Sequence, residues 1–307
     1  MKHLFLINPA AGKADGTYRF REEIRRVCRG LGYEIKVSQK PGDITAWARA
    51  AAEAGEEVRL YACGGDGTLN ETVNGAAGYP NAAVTHFPGG SGNDFIKCFS
   101  NPAAFTRLEE LVAETEEAVI DLICCNGDYA LNVCSLGFDA RIGTQIAGYK
   151  KLPLVTGPGA YIASALVNTV KGVHRPYRVE VDGQVVEGEK TMICVCNGQW
   201  YGGGFHPVPE ADPTDGCLDV LLVKGVSRLT VLKVIGPYKE GRFREYPRLI
   251  QYFRTNRVKV TCREPEPINL DGELRTAREV EITLAPGKLR FFYPKTACPA
   301  WKTPVGV

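Results

Sequence analysis

The sequence has no run of apolar residues long enough to cross a bilayer as a helix, which takes about 18 or more. Its first residues, MKHLFLINPAAGK, contain a short apolar run that passes directly into a glycine turn. They therefore lack the apolar region of a secretory signal peptide. We expect a soluble, cytoplasmic protein whose chain begins with a β-strand.

Net charge is also small, at +2 over 307 residues. A strongly basic surface is the electrostatic mark of nucleic-acid binding, so no nucleic-acid partner is predicted and any basic surface must be local. Hydrophobic residues make up 44% and charged residues 23% of the chain, which is typical of globular proteins. The length is sufficient for two domains, each with its own core.

The pattern of the 11 cysteines lacks the marks of a disulfide framework or a zinc site. Their number is odd, and no Cys-x-x-Cys pair occurs. Most lie inside apolar runs, such as Cys134 in ALNVCSLGF and Cys194 in MICVC. This pattern predicts buried, reduced thiols in a cytosolic protein.

The first part of the chain alternates strand patterns with helical patterns. The predicted strands are 4–8, 33–38, 58–63 and 83–87, and the predicted helices are 20–31, 44–54, 68–77 and 104–117. Such alternation predicts an α/β domain over residues 1–122, with a parallel sheet covered by helices on both faces in three layers.

The pattern changes after about residue 120, where short β-type runs are bounded by turns such as Asn126-Gly127 and Asp182-Gly183. They predict an antiparallel β-sandwich over residues 123–295, interrupted by helical stretches at 159–173 and 228–256. The tail, 296–307, is expected to return to the first domain.

The sequence GGDGT begins where a buried strand, Val58–Cys63, ends. Open α/β sheets bind ligands at this end of their strands. Gly64 and Gly65 let backbone N–H groups approach a phosphate, and a helix that opens at Thr68 adds the positive end of its dipole. Asp66 would repel a triphosphate unless it binds a metal, orients a water or takes a proton, so it favours a Mg²⁺-nucleotide. An ordinary Gly-Asp-Gly turn is the alternative.

Two further glycine-rich turns, NPAAGK at 8–13 and PGGSGNDF at 88–95, follow predicted strands. All three turns are expected to meet at one edge of the sheet. In this order and spacing, NPAAGK, GGDGTLNE and PGGSGNDF resemble the diacylglycerol kinase catalytic domain family, most closely its bacterial soluble lipid kinases. Sphingosine and ceramide kinases are more distant relatives. NAD kinases share the GGDGT loop, so this loop alone indicates only the wider superfamily. The Asn93-Asp94 element narrows the resemblance to the diacylglycerol kinase family. The resemblance covers nearly the whole chain.

The resemblance implies an ATP site. Its residues would be Asn8, Pro9, Ala10, Ala11, Gly12, Ser38, Gly64, Gly65, Asp66, Gly67, Thr68, Leu69, Asn70 and Ser91. The family often has threonine at the positions of Ser38 and Ser91, so a hydroxyl is kept. The additional glycine in the loop around Ser91 makes it looser than the family's pattern.

The second half contains YGGG at 201–204 and ADPTDGCLDV at 211–220, which resemble a family segment that holds a structural Mg²⁺. The implied ligands are Asp212, the Asp215 carboxylate and Cys217. Because a thiol is a poor Mg²⁺ ligand, Cys217 would contribute its backbone carbonyl, and Asp212 is expected to do the same. A plain Asp-Gly hairpin turn is the alternative.

The last motif is LDGE at 270–273, again an Asp-Gly turn but with acids on both sides of the glycine. The family places its proton acceptor in this element, since a carboxylate takes the proton of the hydroxyl late in phosphoryl transfer. Glu273 is the first candidate for this base. Asp271 is the rival, or it links to Asp66 through the metal network.

Residues 224–257 carry nine basic and two acidic side chains with apolar residues between them. Such a stretch suits the surface of an anionic membrane, and a solvated basic face on an ordinary amphipathic helix pair is the alternative.

The resemblance implies an ATP- and Mg²⁺-dependent lipid kinase that acts on a lipid hydroxyl at the membrane surface, first of all on diacylglycerol to give phosphatidic acid. It also implies peripheral location on the inner membrane face and is compatible with a homodimer. The alternatives are a kinase of a sphingoid base or of NAD, and a nucleotide or lipid sensor without turnover. The retained acids Asp66, Asp271 and Glu273 argue against the sensor.

Overall fold

The computed structural model describes residues 1–12, 14–142 and 173–302. The first part of the chain consists of β1 (Lys2–Ile7), α1 (Thr17–Val27), β2 (Tyr33–Val37), α2 (Asp43–Glu53), β3 (Val58–Gly64), α3 (Asp66–Ala76), β4 (Ala82–Pro88), two 3₁₀ turns (Phe95–Cys98 and Pro102–Thr106), α4 (Leu108–Ala113) and β5 (Thr115–Cys125).

The first four strands form a parallel sheet in the order β2-β1-β3-β4. The helices pack on it in pairs, α2 with α3 and α1 with α4. Apolar spacing explains the buried faces: α1 buries Phe20 and Ile24, and α2 buries Ile44, Ala48 and Ala52, each set at intervals of four residues.

The second part consists of β6 (Asp128–Ala130), β7 (Val133–Gly137), β8 (Arg175–Val181), β9 (Gln184–Cys196), β10 (Leu218–Lys224), α5 (Arg228–Lys239), a 3₁₀ turn (Phe243–Glu245), β11 (Ile250–Thr255), β12 (Arg257–Leu270), β13 (Glu273–Pro294) and a 3₁₀ turn (Ala300–Lys302). Strand β6 pairs with β5, and the other strands pair with one another in antiparallel ladders around a buried core that includes Val179, Ile193, Val220 and Val258. The predicted fold class, a parallel α/β domain followed by an antiparallel β-sandwich, is confirmed.

Strand β13 connects the two halves. Its first residues pair with β12, whereas Arg290 and Phe291 pair in parallel with β4 of the first sheet. The result is one continuous sheet of 13 strands. The boundary at residue 122 therefore stays a prediction. Beyond β13, Ser100 donates its N–H to the carbonyl of Cys298 (2.8 Å), so this end of the chain lies against the first domain.

The predicted helical stretch 228–256 is wrong in its second half. The helix α5 ends at Lys239, and residues 250–255 form β11, paired with β10. Gly241, at φ 75°, turns the chain out of the helix. The sequence IQYFRT that follows is rich in β-branched and aromatic residues, which favour a strand at an open sheet edge. Of the helical stretch predicted at 159–173, residues 159–172 lie outside the described residues.

Eight of the 11 cysteines are buried, and all are free thiols. None of the helices in the described ranges combines the length and hydropathy that a bilayer crossing requires.

Candidate active site

The three glycine-rich turns meet at the carboxyl ends of β1, β3 and β4. Asn8 donates its N–H to the carbonyl of Cys63 (3.1 Å), and Gly89 donates to the carbonyl of Gly64 (2.7 Å). A Cβ on Gly90 would lie 2.5 Å from the Cα of Gly65, far inside van der Waals contact. These turns pack backbone against backbone, so glycine is the residue that fits, and the edge presents peptide groups to a ligand.

The helix α3 begins at this edge. The N–H groups of a first helical turn have no partner within the helix, and the dipole makes the position attractive to anions. Thr68 is buried in this turn, and its hydroxyl has no hydrogen-bond partner among the residues that the structure describes. The buried amide oxygen of Asn93 also lacks one. A hydroxyl can donate to a phosphate oxygen, so the unpaired Thr68 side chain at this helix N-terminus fits a phosphate ligand, whereas the Asn93 oxygen can only accept.

Asp66 joins two of the turns. Its carboxylate accepts the N–H groups of Asn93 (2.7 Å) and Asp94 (2.5 Å). A carboxylate offers about four acceptor positions, so Asp66 keeps capacity for a further ligand. The side chain therefore fixes the 88–95 turn and still fits a cation beside a nucleotide.

Asp94, whose role the sequence did not reveal, connects the turns to the second domain. Its carboxylate pairs with Lys97 (2.6 Å) and accepts the N–H of Gly203 (2.8 Å) in the 201–204 turn. Burial raises the pKa of Asp94 above its ordinary value, and the neighbouring Asp66 carboxylate adds to the rise. The motif PGGSGNDF contains Asp94, but its contact with Gly203 joins residues too distant for a sequence pattern to predict.

His86 lies beneath the GGDGT loop, on β4. Its Nε2–H donates to the carbonyl of Gly64 (2.8 Å), which fixes the tautomer. Burial lowers the pKa of His86, against the opposing effect of Asp66. A neutral imidazole therefore supports the loop from below. In the sequence, this role was indicated only by a histidine inside the largely apolar strand AAVTHFP.

The two acids of the LDGE turn have different surroundings. Asp271, at φ 50°, turns its carboxylate inward to accept the N–H groups of Leu131 (2.6 Å) and Val133 (2.9 Å), and that of Asn132. Burial raises the pKa of Asp271 to about 6, against the effect of these donors. Glu273 is exposed and faces the first domain, with its Oε1 3.7 Å from the position of a Cβ on Gly67. The structure thus brings Glu273 to the glycine loop, while Asp271 is held by backbone donors.

The other predicted nucleotide residues divide into two groups. Residues 8–12, Ser38 and Ser91 lie at the same sheet edge as the glycine loop, where Asn8 caps its own turn by accepting the N–H of Ala10 (3.0 Å). Leu69 is instead part of the apolar core, and Asn70 donates to the carbonyl of Tyr129 (3.2 Å) in the second domain.

The side chains of two predicted metal ligands, Asp212 and Asp215, have partners within the protein. The Asp212 carboxylate accepts the N–H and hydroxyl of Thr214 (2.9 and 2.6 Å). The Asp215 carboxylate accepts the N–H of Cys217 (2.9 Å) and forms an ion pair with Arg254. Throughout the described ranges, no cluster of three His, Cys, Asp or Glu side chains has metal-binding geometry. The Asp215 carboxylate, the side-chain ligand that the resemblance implies, is thus paired with a cation of the chain itself, and a structural Mg²⁺ at this loop stays a prediction.

The fold and the site define a two-domain α/β protein with a glycine-rich edge suited to phosphate, faced by a carboxylate from a β-sandwich. Models of known protein families match both domains of the chain. The diacylglycerol kinase catalytic domain matches residues 2–125, and the YegS C-terminal NAD kinase beta sandwich-like domain matches residues 132–293. The chain belongs to the diacylglycerol kinase catalytic domain family and carries this second domain. The resemblance read from its motifs is confirmed.

Individual relatives cover most of the chain at low identity. A diacylglycerol kinase of Staphylococcus carnosus (strain TM300) is 27% identical over 271 residues, 87% of each chain. A solved structure of a diacylglycerol kinase from Bacillus anthracis str. Sterne is 22% identical, with a TM-score of 0.69 over 96% of this chain and 97% of its own. A second structure from that strain has a TM-score of 0.75 at 23% identity, over 96% of this chain and 98% of its own. Both solved structures share the fold of this chain.

Proposed function

We propose that the protein is an ATP- and Mg²⁺-dependent kinase that transfers the γ-phosphoryl group to a lipid hydroxyl, with diacylglycerol as acceptor and phosphatidic acid as product. The observation that carries the proposal is the position of Glu273, which the second domain holds opposite Gly67 of the phosphate-binding loop. The family and the name of the S. carnosus relative support a lipid acceptor.

ATP would bind along the edge formed by residues 8–12, Ser38, residues 64–68 and Ser91. The backbone N–H groups at the start of α3 would take the phosphates, and Thr68 would donate its hydroxyl to them. Lys97, paired with Asp94, supplies a positive charge next to the Asp66–Asp94 pair. Leu69 and Asn70 would support the loop from the core and from the domain contact.

Asp66 is the carboxylate proposed to hold the Mg²⁺ of the nucleotide, because part of its acceptor capacity is unused. Bound Mg²⁺ neutralises charge on the phosphates. His86 holds the backbone of the loop, so that Asp66 and the N–H groups of α3 are in place before ATP binds.

Glu273 would be the general base. The lipid oxygen forms a bond to the γ-phosphorus, its proton passes to the Glu273 carboxylate, and the bond to the β-phosphate oxygen breaks to release ADP. Asp271 would be a positioning residue, since its oxygens accept the N–H groups of residues 131–133 and fix the turn that carries Glu273.

The lipid would reach this cleft from a membrane surface, in keeping with a peripheral location on the inner face. On α5, Leu229 and Leu232 are 79% and 57% exposed at a spacing of three residues, and they share one face of the helix. Arg228 and Lys233 are exposed beside them. Exposed leucines flanked by cations support docking on an anionic bilayer.

The test is transfer of labelled γ-phosphate to a panel of acceptors: diacylglycerol, ceramide and sphingosine in mixed micelles, and NAD in solution. Labelled phosphatidic acid is the expected product. Label in NADP or in a sphingoid phosphate would assign the acceptor differently. Folded protein that binds ATP without forming ADP with any acceptor would support the sensor and refute the kinase.

A further inference from the structure

The loop at 212–217 is held by a cation that belongs to the chain itself. Arg254 on β11 stands directly opposite Asp219 on β10 in the antiparallel ladder. Its guanidinium forms an ion pair with Asp215 and approaches Asp219, with Nε 3.6 Å from Oδ1. Tyr252, from the same strand, donates its hydroxyl to Asp219 (2.5 Å). The register of β10 and β11 thus places the charged Arg254 side chain next to the loop.

Acceptors of the loop also bind N–H groups of its own backbone. Asp215 accepts the N–H of Cys217 with its second oxygen, and the carbonyl of Asp212 accepts the N–H of Asp215 (3.3 Å). On the other side, Asp121 accepts the N–H groups of Gly216 (3.0 Å) and Gly287 (2.6 Å). The loop is therefore closed from both sides by protein groups.

A guanidinium is always charged and has planar donors that match carboxylates. Here the Arg254 guanidinium lies next to two carboxylates. Asp215 is part-buried and Asp219 is almost fully buried. A divalent cation on the Asp215 carboxylate would lie beside the Arg254 guanidinium and would be repelled by it.

We propose that Arg254 takes the place of the structural divalent cation that the family resemblance implies, so that the 212–217 loop is ordered without bound Mg²⁺. The inference concerns this loop alone. It leaves the Mg²⁺ of the nucleotide untouched and holds whatever the acceptor of the kinase is.

The test uses protein without nucleotide, after treatment with EDTA. Thermal unfolding is measured in EDTA, in Mg²⁺ and in Mn²⁺, and Mn²⁺ binding is followed by electron paramagnetic resonance. The Tm of the wild type is expected to be the same in all three. A Mg²⁺-dependent rise in Tm, or bound Mn²⁺, that the Asp215→Asn variant loses would overturn the proposal.

The variant Arg254→Met keeps the apolar stem and removes the charge. Its Tm is expected to fall by roughly 2–4 °C. Arg257→Met is the matched control, because Arg257 is exposed and pairs only across the surface with Glu281. Equal Tm values for Arg254→Met, Arg257→Met and the wild type would contradict a clamp by Arg254. The metal measurements on the wild type decide the question even if Arg254→Met fails to fold.

Discussion

The contact between Gly65 and Gly90 gives the sharpest test of where the nucleotide binds. In the variant Gly90→Ala, the new methyl would lie 2.5 Å from the Cα of Gly65 and 3.1 Å from the amide oxygen of Asn93. The methyl group can be accommodated only if the 64–68 and 88–95 turns move apart. Inserting a methyl into a filled space costs roughly 1–3 kcal/mol.

This cost is expected to fall on the complex with ATP. Without ligand the turns relax by moving apart, whereas bound phosphates require both turns in place. Since each 1.4 kcal/mol is about tenfold in affinity, the Kd for ATP should rise roughly 5- to 150-fold. Isothermal titration calorimetry with Mg²⁺ and a non-hydrolysable ATP analogue measures it directly.

Gly32→Ala is the matched control, because a Cβ on Gly32 has no atom within 4 Å. It should bind the analogue as the wild type does. An unchanged Kd in Gly90→Ala, with a circular dichroism spectrum like that of the wild type, would refute the assignment of these turns to the nucleotide.

Two further predictions concern pH and membranes. Burial lowers the pKa of His86 in the folded state below its ordinary value of 6.5. As the pH drops through 6.5, the imidazole therefore takes up a proton in the unfolded state and not in the folded state. The stability of the fold should fall over this range. Denaturant unfolding between pH 7.5 and 5.5, roughly one unit above and below the ordinary value of 6.5, should show a smaller loss of stability for His86→Gln, and equal slopes would contradict the assignment. Replacing both Leu229 and Leu232 with Ser should reduce sedimentation with phosphatidylglycerol vesicles at least about tenfold, since each buried leucine contributes roughly 1.5–3 kcal/mol. The same change at the exposed Val119 and Val185 should leave vesicle binding unaltered, and equal loss in both variants would argue against docking through α5.

Much of the glycine-rich edge could be predicted because its determinants are local. Each glycine-rich turn follows its own strand, and parallel strands bring their carboxyl ends to one edge. The sequence around Gly64 therefore contains both the turn and the helix that follows. Leu69 and Asn70 belong to the same motif, and the rotation of the helix directs them to the core and to Tyr129.

What could not be predicted depends on contacts between distant residues. Asp271 and Glu273 have the same charge and are two positions apart, and they are distinguished by contacts with distant residues, the backbone at 131–133 for Asp271 and Gly67 for Glu273. Likewise, Arg254 lay in a stretch expected to be helical, so its pairing with Asp219 was invisible until β11 was placed beside β10. Asp94 acquires its partner, Gly203, from the other domain.

The central claim is that Glu273 accepts the proton of the lipid hydroxyl above the glycine loop. Single-turnover transfer of labelled phosphate from ATP to diacylglycerol tests it most directly, with Glu273→Gln compared with Glu279→Gln. Glu279 is an exposed acid on the same strand, paired weakly with Lys259 at 3.8 Å. The account predicts that Glu273→Gln loses roughly 10²- to 10⁴-fold in rate with ATP affinity unchanged, while Glu279→Gln transfers at the wild-type rate. Wild-type transfer by Glu273→Gln would contradict the claim.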